Sequence, residues 1–182
     1  KQAIDSHVNV FPSLDILINN AGKAGRYAHK GENDNDISGH DPTGIAEIIE
    51  TNLCGPYFML HHALPHMKLL TRARVINISK RTESMHRKAW TPYGPTKAAL
   101  EAATIAWAES LSETGVTVNT LSPGGIYAGQ SDVFIKKLVD LIPMGRMANS
   151  NEYKAAIAFL VSDASSYMTG ANLVVDGGRS IW

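Results

Sequence analysis

The stretch LDILINNAG, residues 14–22, joins a short apolar run to a turn of small and polar residues. Three later segments have the same form, in which Gly, Pro, Asn or Ser ends an apolar run. The predicted strands are residues 14–19, 74–78, 117–121 and 172–175. Such nearly continuous apolar runs are typical of a parallel sheet that is covered on both faces.

Helical patterns lie between these strands, in residues 43–54, 57–68, 93 to about 113, and 151–161. Thr43 suits an N-cap, and Gly115 stands just past the third pattern, as a stop signal should. The alternation of strand and helix predicts an α/β fold, a doubly wound parallel sheet.

Composition narrows the class of protein. The chain has 182 residues, and its 17 Lys and Arg balance 17 Asp and Glu, which argues against general binding to nucleic acid or to an anionic membrane. The single cysteine, Cys54, permits no internal disulfide and suits a reducing compartment. With no apolar run long enough to span a bilayer, the sequence predicts a cytoplasmic domain.

The predicted strands all end in turn residues: NNAG at 19–22, Asn77 and Ser79, SPGG at 122–125, and DGG at 176–178. Open α/β sheets bind ligands at this carboxyl edge. The long segment 122–148 leaves the same edge, and we expect it to form a substrate lid rather than a plain surface excursion with one helix.

Tyr93 and Lys97 begin the alanine-rich helix and lie four residues apart, which places them on one helix face. A nearby ammonium favours the phenolate and so lowers the pKa of a tyrosine. A phenol with such a pKa can act as a proton donor or acceptor near neutral pH. Alone, this spacing is a weak signal, and the strand-end motifs give it weight.

Five motifs carry a resemblance to a known family: LDILINNAG, NIS with YGPTK, VTVNTLSPGG, PMGRM and SDASSYMTGANLVVDGG. From about residue 14 to 178, the chain resembles the short-chain dehydrogenases/reductases, which have a Rossmann-like fold. The resemblance implies an NAD(P)-dependent oxidoreductase that interconverts an alcohol and a ketone.

The resemblance also implies roles for single residues. Tyr93 would be the general acid/base, and Lys97 would hold the nicotinamide ribose and lower the pKa of Tyr93. Asn52, in ETNLCGPYF, would support a water relay to that lysine, rather than cap or bend a helix. The NAD or NADP contacts would be Asn20, Ala21, Gly22, Tyr93, Lys97, Pro123, Gly124 and Ile126.

One departure concerns the substrate. The family usually places a serine thirteen residues before the tyrosine, and Lys80 occupies that position here. We expect Ser79 to orient the substrate carbonyl and to matter more to the rate than Lys80. Thr82 and Ser84 lie further along, and Lys80 itself offers a positive charge for a developing oxyanion.

A second departure is that we find no TGxxxGxG turn, which holds the pyrophosphate in the family. We therefore expect residues 1–182 to be one Rossmann-like domain lacking its first strands, with the strand at 14–19 as an exposed apolar edge. The main alternative is a non-catalytic subunit or inactive fragment. A sugar-nucleotide epimerase and an enoyl reductase fit less well, the latter because those relatives typically separate the tyrosine and lysine by six residues.

The remaining expectations concern partners. A basic run, Lys80, Arg81, His86, Arg87 and Lys88, would rim the site, which makes an anionic substrate a minority hypothesis. His62 and His66 have a metal-compatible spacing, but we expect no metal. The small residues Ala98, Ala102 and Ala106 and the C-terminal Ile181 and Trp182 predict a homo-oligomer, most simply a tetramer.

Overall fold

Four parallel strands form one sheet in the order β1-β2-β3-β4. They are β1 (Ile16–Asn19), β2 (Ala73–Ile78), β3 (Val116–Pro123) and β4 (Asn172–Val175). This computed structural model describes residues 1–23, 41–80 and 92–181. All four predicted strands are present. The first is shorter than expected, because buried Leu14 packs into the core before the ladder begins.

Helices cover both faces of the sheet. They are α1 (Gln2–Val8), α2 (Pro42–Ile49), α3 (Gly55–Met67), α4 (Tyr93–Ser110), α5 (Asp132–Val139) and α6 (Lys154–Val161). One core lies between the sheet and α1, α3 and α4, and a second lies between β2, β3 and α6. The predicted doubly wound α/β fold is therefore confirmed. Among the described residues, no helix is long and apolar enough to cross a membrane.

Successive side chains of β2 pack alternately into the two cores. Val75 belongs to the core under α3 and α4, whereas Ile76 belongs to the core under α6 and Ile78 packs against it. Successive side chains of a strand point to opposite faces, so odd-numbered residues here face α4 and even-numbered ones face α6.

Two helix boundaries differ from the sequence prediction. Asp41, not Thr43, is the N-cap of α2, with Pro42 in the first turn. Between α2 and α3, a π-helical turn (Glu50–Cys54) makes the two predicted helices continuous. The Gly55 amide donates to the Glu50 carbonyl, and Pro56, which has no N–H to donate, follows directly after this bond.

Three further elements were less clear from sequence. The first residues read as merely polar, yet they form α1, which buries Ile4. The pattern at 151–161 divides into a 3₁₀ turn (Ser150–Tyr153) and α6. Segment 122–148 contains one short helix, α5, and no residue of that helix is buried. The proposed lid role of that segment stays a prediction.

β1 is the edge strand of the described sheet and pairs with β2. Its side chains alternate, so that Leu17 and Asn19 are buried while Ile16 and Ile18 are 42% and 41% exposed. The expected apolar edge is thus present in the described part of the chain.

A chain of buried hydrogen bonds ties three strands to α4. Asn19 Nδ2 donates to Asn77 Oδ1 at 2.8 Å, and Asn77 Nδ2 donates to Thr104 Oγ1 at 2.8 Å. Thr120 Oγ1 also donates to Thr104 Oγ1, at 2.9 Å, while the Thr104 hydroxyl donates to the Leu100 carbonyl. Thr104 is the shared acceptor, so its loss leaves two buried donors unpaired.

We expect Thr104→Val to lower the free energy of unfolding by about 3 kcal/mol, because each buried unpaired donor costs about 1–3 kcal/mol. Thr117→Val is the matched control, since the Thr117 hydroxyl is buried without a hydrogen-bond partner and its removal should be neutral or stabilising. Denaturant unfolding of both variants measures the difference. Equal losses would show that the network contributes nothing beyond the shape of the side chain.

Candidate active site

A cleft of about 360 Å³ lies at the carboxyl ends of the strands. Parallel strands end at one edge of a sheet, so the predicted strand-end motifs converge there. Its lining residues are Asn20, Gly22, Lys23, Ile78, Ser79, Lys80, Tyr93, Lys97, Pro123, Gly124 and Ile126. Of the predicted cofactor contacts, Ala21 is exposed and does not line the cleft, whereas the other seven do.

Asn52 is fully buried within the π-helical turn and bonds to two elements beside the cleft. Its Oδ1 accepts from the Lys23 amide at 2.8 Å, and its Nδ2 donates to the Lys23 carbonyl at 3.0 Å and to Thr96 Oγ1 at 3.1 Å. The Thr96 hydroxyl in turn donates to the Tyr93 carbonyl. Asn52 therefore connects the turn after β1 to the start of α4.

Gly22 brings that turn close to the polar centre of the site. A Cβ atom at this position would lie 3.5 Å from Asn52 Oδ1 and 3.6 Å from Lys97 Nζ. Asn52, the predicted relay residue, and Lys97 thus lie beside the same small volume. The water that would join them in a relay remains a prediction.

Tyr93 and Lys97 lie one turn apart at the start of α4, as their spacing predicts. The Lys97 ammonium donates to the Ile78 carbonyl at 2.6 Å and stands 5.9 Å from the centre of the Tyr93 ring. Lys97 is 3% exposed. The bond to Ile78 anchors the lysine to the end of β2, beside the phenol.

The direction of the pKa shift of Tyr93 differs from the one that the sequence predicts. Burial raises the pKa of Tyr93 above its ordinary value, and burial lowers the pKa of Lys97 to about 8. We expected the lysine to lower the pKa of the tyrosine, and in this structure desolvation of the phenolate outweighs that effect. Burial therefore disfavours the phenolate form of Tyr93.

Ser79 is placed differently from its predicted role. Its hydroxyl donates to Glu101 Oε1 at 2.7 Å and to the Lys97 carbonyl at 3.1 Å, both on α4. The Ser79 amide continues the ladder by donating to the Leu121 carbonyl, so Ser79 points to the same face as Asn77. The period-2 alternation from Asn77 was a signal for this, and Glu101 was missed.

The turn after β3 closes the other side of the cleft. The Gly124 amide donates to the Val175 carbonyl at 2.9 Å, and a Cβ atom on Gly124 would lie 2.6 Å from the Asp176 Cα. A side chain at this position would force β3 and β4 apart, which explains the glycine. Ile126 lies just beyond, in a bridge with Ala148.

Some predicted residues lie outside the described part of the chain: Thr82 and Ser84, and Arg81, His86, Arg87 and Lys88 of the basic run. Within the described ranges, no group of three His, Cys, Asp or Glu side chains is placed to hold a metal ion. The His61 and His62 rings lie edge to face, with centres 5.0 Å apart.

Comparison with known proteins gives consistent matches. A family model described as Enoyl-(Acyl carrier protein) reductase matches residues 1–180. The 3-oxoacyl-[acyl-carrier-protein] reductase FabG of Staphylococcus aureus (strain N315) is 30% identical over 182 residues, covering 98% of this chain and 71% of that protein. L-fucose dehydrogenase from Bos taurus is 32% identical over 188 residues, covering 98% and 66%.

A solved structure is similar over the whole chain. It is a gluconate 5-dehydrogenase from Burkholderia cenocepacia J2315 in complex with NADP and tartrate, with a TM-score of 0.88 and 26% sequence identity. The match covers 100% of this chain and 70% of the dehydrogenase.

The buried lysine makes stability depend on pH. Because the folded state lowers the pKa of Lys97 from 10.5 to about 8, the unfolded chain binds more protons between these values. Stability therefore rises with pH in this window. Relative to Lys97→Met, the wild type should gain about 3 kcal/mol of unfolding free energy between pH 8 and pH 10.5.

Denaturant unfolding of both proteins across this pH range provides the measurement. Lys154→Met, on the exposed part of α6, controls for the loss of one positive charge. If the wild-type and Lys97→Met curves ran parallel from pH 8 to pH 10.5, the lysine would not be desolvated as the structure indicates.

Proposed function

Because the chain belongs to the short-chain dehydrogenase/reductase family, an NAD(P)-dependent class of oxidoreductases, we propose that it interconverts an alcohol and a ketone. The observation that carries this proposal is the Tyr93–Lys97 pair, which lines a cleft at the carboxyl edge of the sheet beside two glycine turns. A phenol held as a proton donor beside a buried ammonium suits the proton transfer that this reaction needs.

The residues of the cleft fit a nicotinamide cofactor, NAD or NADP. Gly22 has no side chain beside Lys97 Nζ, where a Cβ atom would lie 3.6 Å from the ammonium, and this leaves room for a ligand to approach the backbone. Lys97 Nζ, beside Gly22, is the group that would hold the ribose hydroxyls. When bound, the cofactor supplies or accepts the hydride. Its other proposed contacts are Asn20, Ala21, Tyr93, Pro123 and Ile126.

In the reductive direction, the Tyr93 hydroxyl gives its proton to the substrate oxygen as the carbonyl carbon gains the hydride. In the oxidative direction, the same oxygen takes the proton from the alcohol. Burial raises the pKa of Tyr93, which favours the protonated form of the phenol. Asn52, by fixing the turn at Lys23 and the start of α4, keeps these groups in place.

We further propose that the small-molecule substrate is anionic. Three lysines line the described part of the cleft (Lys23, Lys80 and Lys97), and no Asp or Glu does. Lys23 is paired with Glu47 at 2.9 Å, so part of its charge is balanced. The similar gluconate 5-dehydrogenase is in complex with tartrate, which supports an organic anion as substrate.

The description of the matching family model favours a second candidate, the reduction of an enoyl thioester. The spacing of Tyr93 and Lys97 and the match to a 3-oxoacyl reductase favour the carbonyl reaction instead. Matched 3-oxoacyl and enoyl thioesters, each assayed by oxidation of NADH and NADPH, distinguish the two reactions. A cytoplasmic location stays a prediction.

We expect Tyr93→Phe to lower turnover at least about a hundredfold in the intact enzyme, because Phe has no proton to give. The fold and cofactor binding should remain nearly intact. Tyr167→Phe, at a fully exposed tyrosine, is the control. Steady-state kinetics with circular dichroism checks both variants, and a wild-type rate in Tyr93→Phe would exclude the phenol as acid.

We also propose that the enzyme is a homo-oligomer, most simply a tetramer. The residues Ala98, Ala102 and Ala106 lie on the exposed face of α4, and Ile105 on the same helix is 61% exposed. A face of small and apolar residues lets a helix approach its own copy closely around a twofold axis. Ile181 is also exposed, and Trp182 lies outside the described residues.

Ala102→Arg should dissociate this assembly, since it would bury an unpaired charge in the helix contact. Ser112→Arg, on an exposed residue beyond the end of α4, adds the same charge outside the proposed contact and should leave the assembly intact. Light scattering at micromolar concentration measures the masses. A monomeric wild type, or equal behaviour of the two variants, would contradict the proposal.

A further inference from the structure

A second groove, of about 510 Å³, lies at the amino ends of β2 and β3, at the opposite edge of the sheet from the cleft. We call it the amino-end groove. Its volume is within the range of small-molecule sites, roughly 300–1,000 Å³. Segment 163–169, which follows α6, forms its other wall. The polar lining combines five Ser and Thr side chains with three charged ones: Thr71, Ser112, Thr117, Ser166, Thr169, Arg72, Arg74 and Asp163.

Arg74 is the buried charge of this groove. It is the second residue of β2, and its side chain is only 6% exposed. Ile76 and Ile78 follow on the same face of the strand and pack into the core under α6. Burying a guanidinium in such a position costs free energy that an apolar side chain would not. The partners of the guanidinium therefore decide whether this cost is offset.

The protein itself leaves most of the Arg74 donors unpaired. Of the five N–H groups of a guanidinium, one on Nη1 reaches the neighbouring Ala73 carbonyl, at a long 3.3 Å. Nη2 is 3.6 Å from Asp163 Oδ1, beyond hydrogen-bond distance. Nε is buried and has no acceptor among the described residues. The Thr117 hydroxyl, on the register partner of Arg74 in β3, is also buried and unbonded there.

The charges of the groove do not balance. Asp163 is its one acidic residue in the described part of the chain, and it is bonded to Arg72, with 2.8 Å between Oδ2 and Nη1. Both side chains of this pair are 68% exposed, whereas Arg74 lies deeper. The planar fork of an arginine matches two oxygens on one carbon or phosphorus atom, which accept from it in parallel.

We propose that the amino-end groove binds a small oxyanion, a carboxylate or phosphate group, through the Arg74 guanidinium with Arg72 beside it. Two oxygens of the anion accept from Arg74, and the Ser and Thr hydroxyls of the lining donate to the others. The inference does not depend on the proposed carbonyl reaction, since the groove and the cleft share no lining residue.

The experiment measures thermal unfolding of the intact enzyme in inorganic phosphate, in succinate and in sodium chloride of equal ionic strength. An anion that binds only the folded state raises the unfolding midpoint in a saturable manner. We expect phosphate or succinate to do so beyond the effect of chloride, and the one that does identifies a phosphate or a carboxylate ligand. Failure of both to exceed chloride would overturn the proposal.

Arg74→Met should weaken the apparent affinity for that anion at least about tenfold, because charge-assisted hydrogen bonds are lost. Methionine suits the apolar surroundings of β2, so the variant should still fold. Arg146→Met is the matched control, since Arg146 is paired with Glu152 and lines neither the groove nor the cleft. It should bind the anion as the wild type does. Equal affinities in the two variants would refute the site.

A second pair of variants tests the site without altering the buried arginine. Asp163→Asn should tighten anion binding about threefold, because it removes a negative charge beside Arg74. Asp140→Asn removes an exposed charge at the end of α5 and should change the affinity less. No difference between these two variants would contradict the proposal. Protection that is lost in Lys97→Met and kept in Arg74→Met would also overturn it, by placing the anion in the cleft.

Discussion

The hydrogen-bonded chain from Asn19 through Asn77 to Thr104 and Thr120 is the constraint on which the site depends. It runs through a region from which water is excluded, so each bond is costly to leave unmade. A parallel sheet packed against a helix through apolar contacts alone tolerates small slips. This chain allows one register between β1, β2, β3 and α4, and therefore one position for Tyr93 and Lys97 relative to the strand ends.

The same register governs the chemistry at the end of β2. Because Asn77 must face α4 to bond with Thr104, Ser79 faces α4 as well, and its hydroxyl meets Glu101. The Ile78 carbonyl is then left to receive the buried ammonium of Lys97. The Lys97 ammonium is poorly solvated there, and this desolvation lowers its pKa. Hydroxyl groups of a bound ligand would supply hydrogen bonds that water does not.

Periodicity and turn residues predicted the sheet and most helices, because apolar runs ended by Gly, Pro or Asn leave few alternatives. The convergence of Gly22, Tyr93, Lys97 and Gly124 followed from strand direction alone. Burial was what the sequence could not supply. The spacing of Tyr93 and Lys97 gives their proximity but not the desolvation that reversed the expected pKa shift of the tyrosine. Likewise, no residue in the sequence ETNLC (50–54) indicates a π-helical turn.

That turn has a consequence for the phase of the long helical segment. Ile48 and Leu60 are both buried, although twelve positions at 3.6 per turn would place them roughly 120° apart on a regular α-helix. The wider turn absorbs one residue, and the remaining eleven make about three whole turns. By the same arithmetic, deleting one residue between Glu50 and Cys54 would leave eleven positions, about three regular turns, and would keep Ile48 and Leu60 in phase. What such a deletion would remove is the wide turn that holds Asn52 in its buried position.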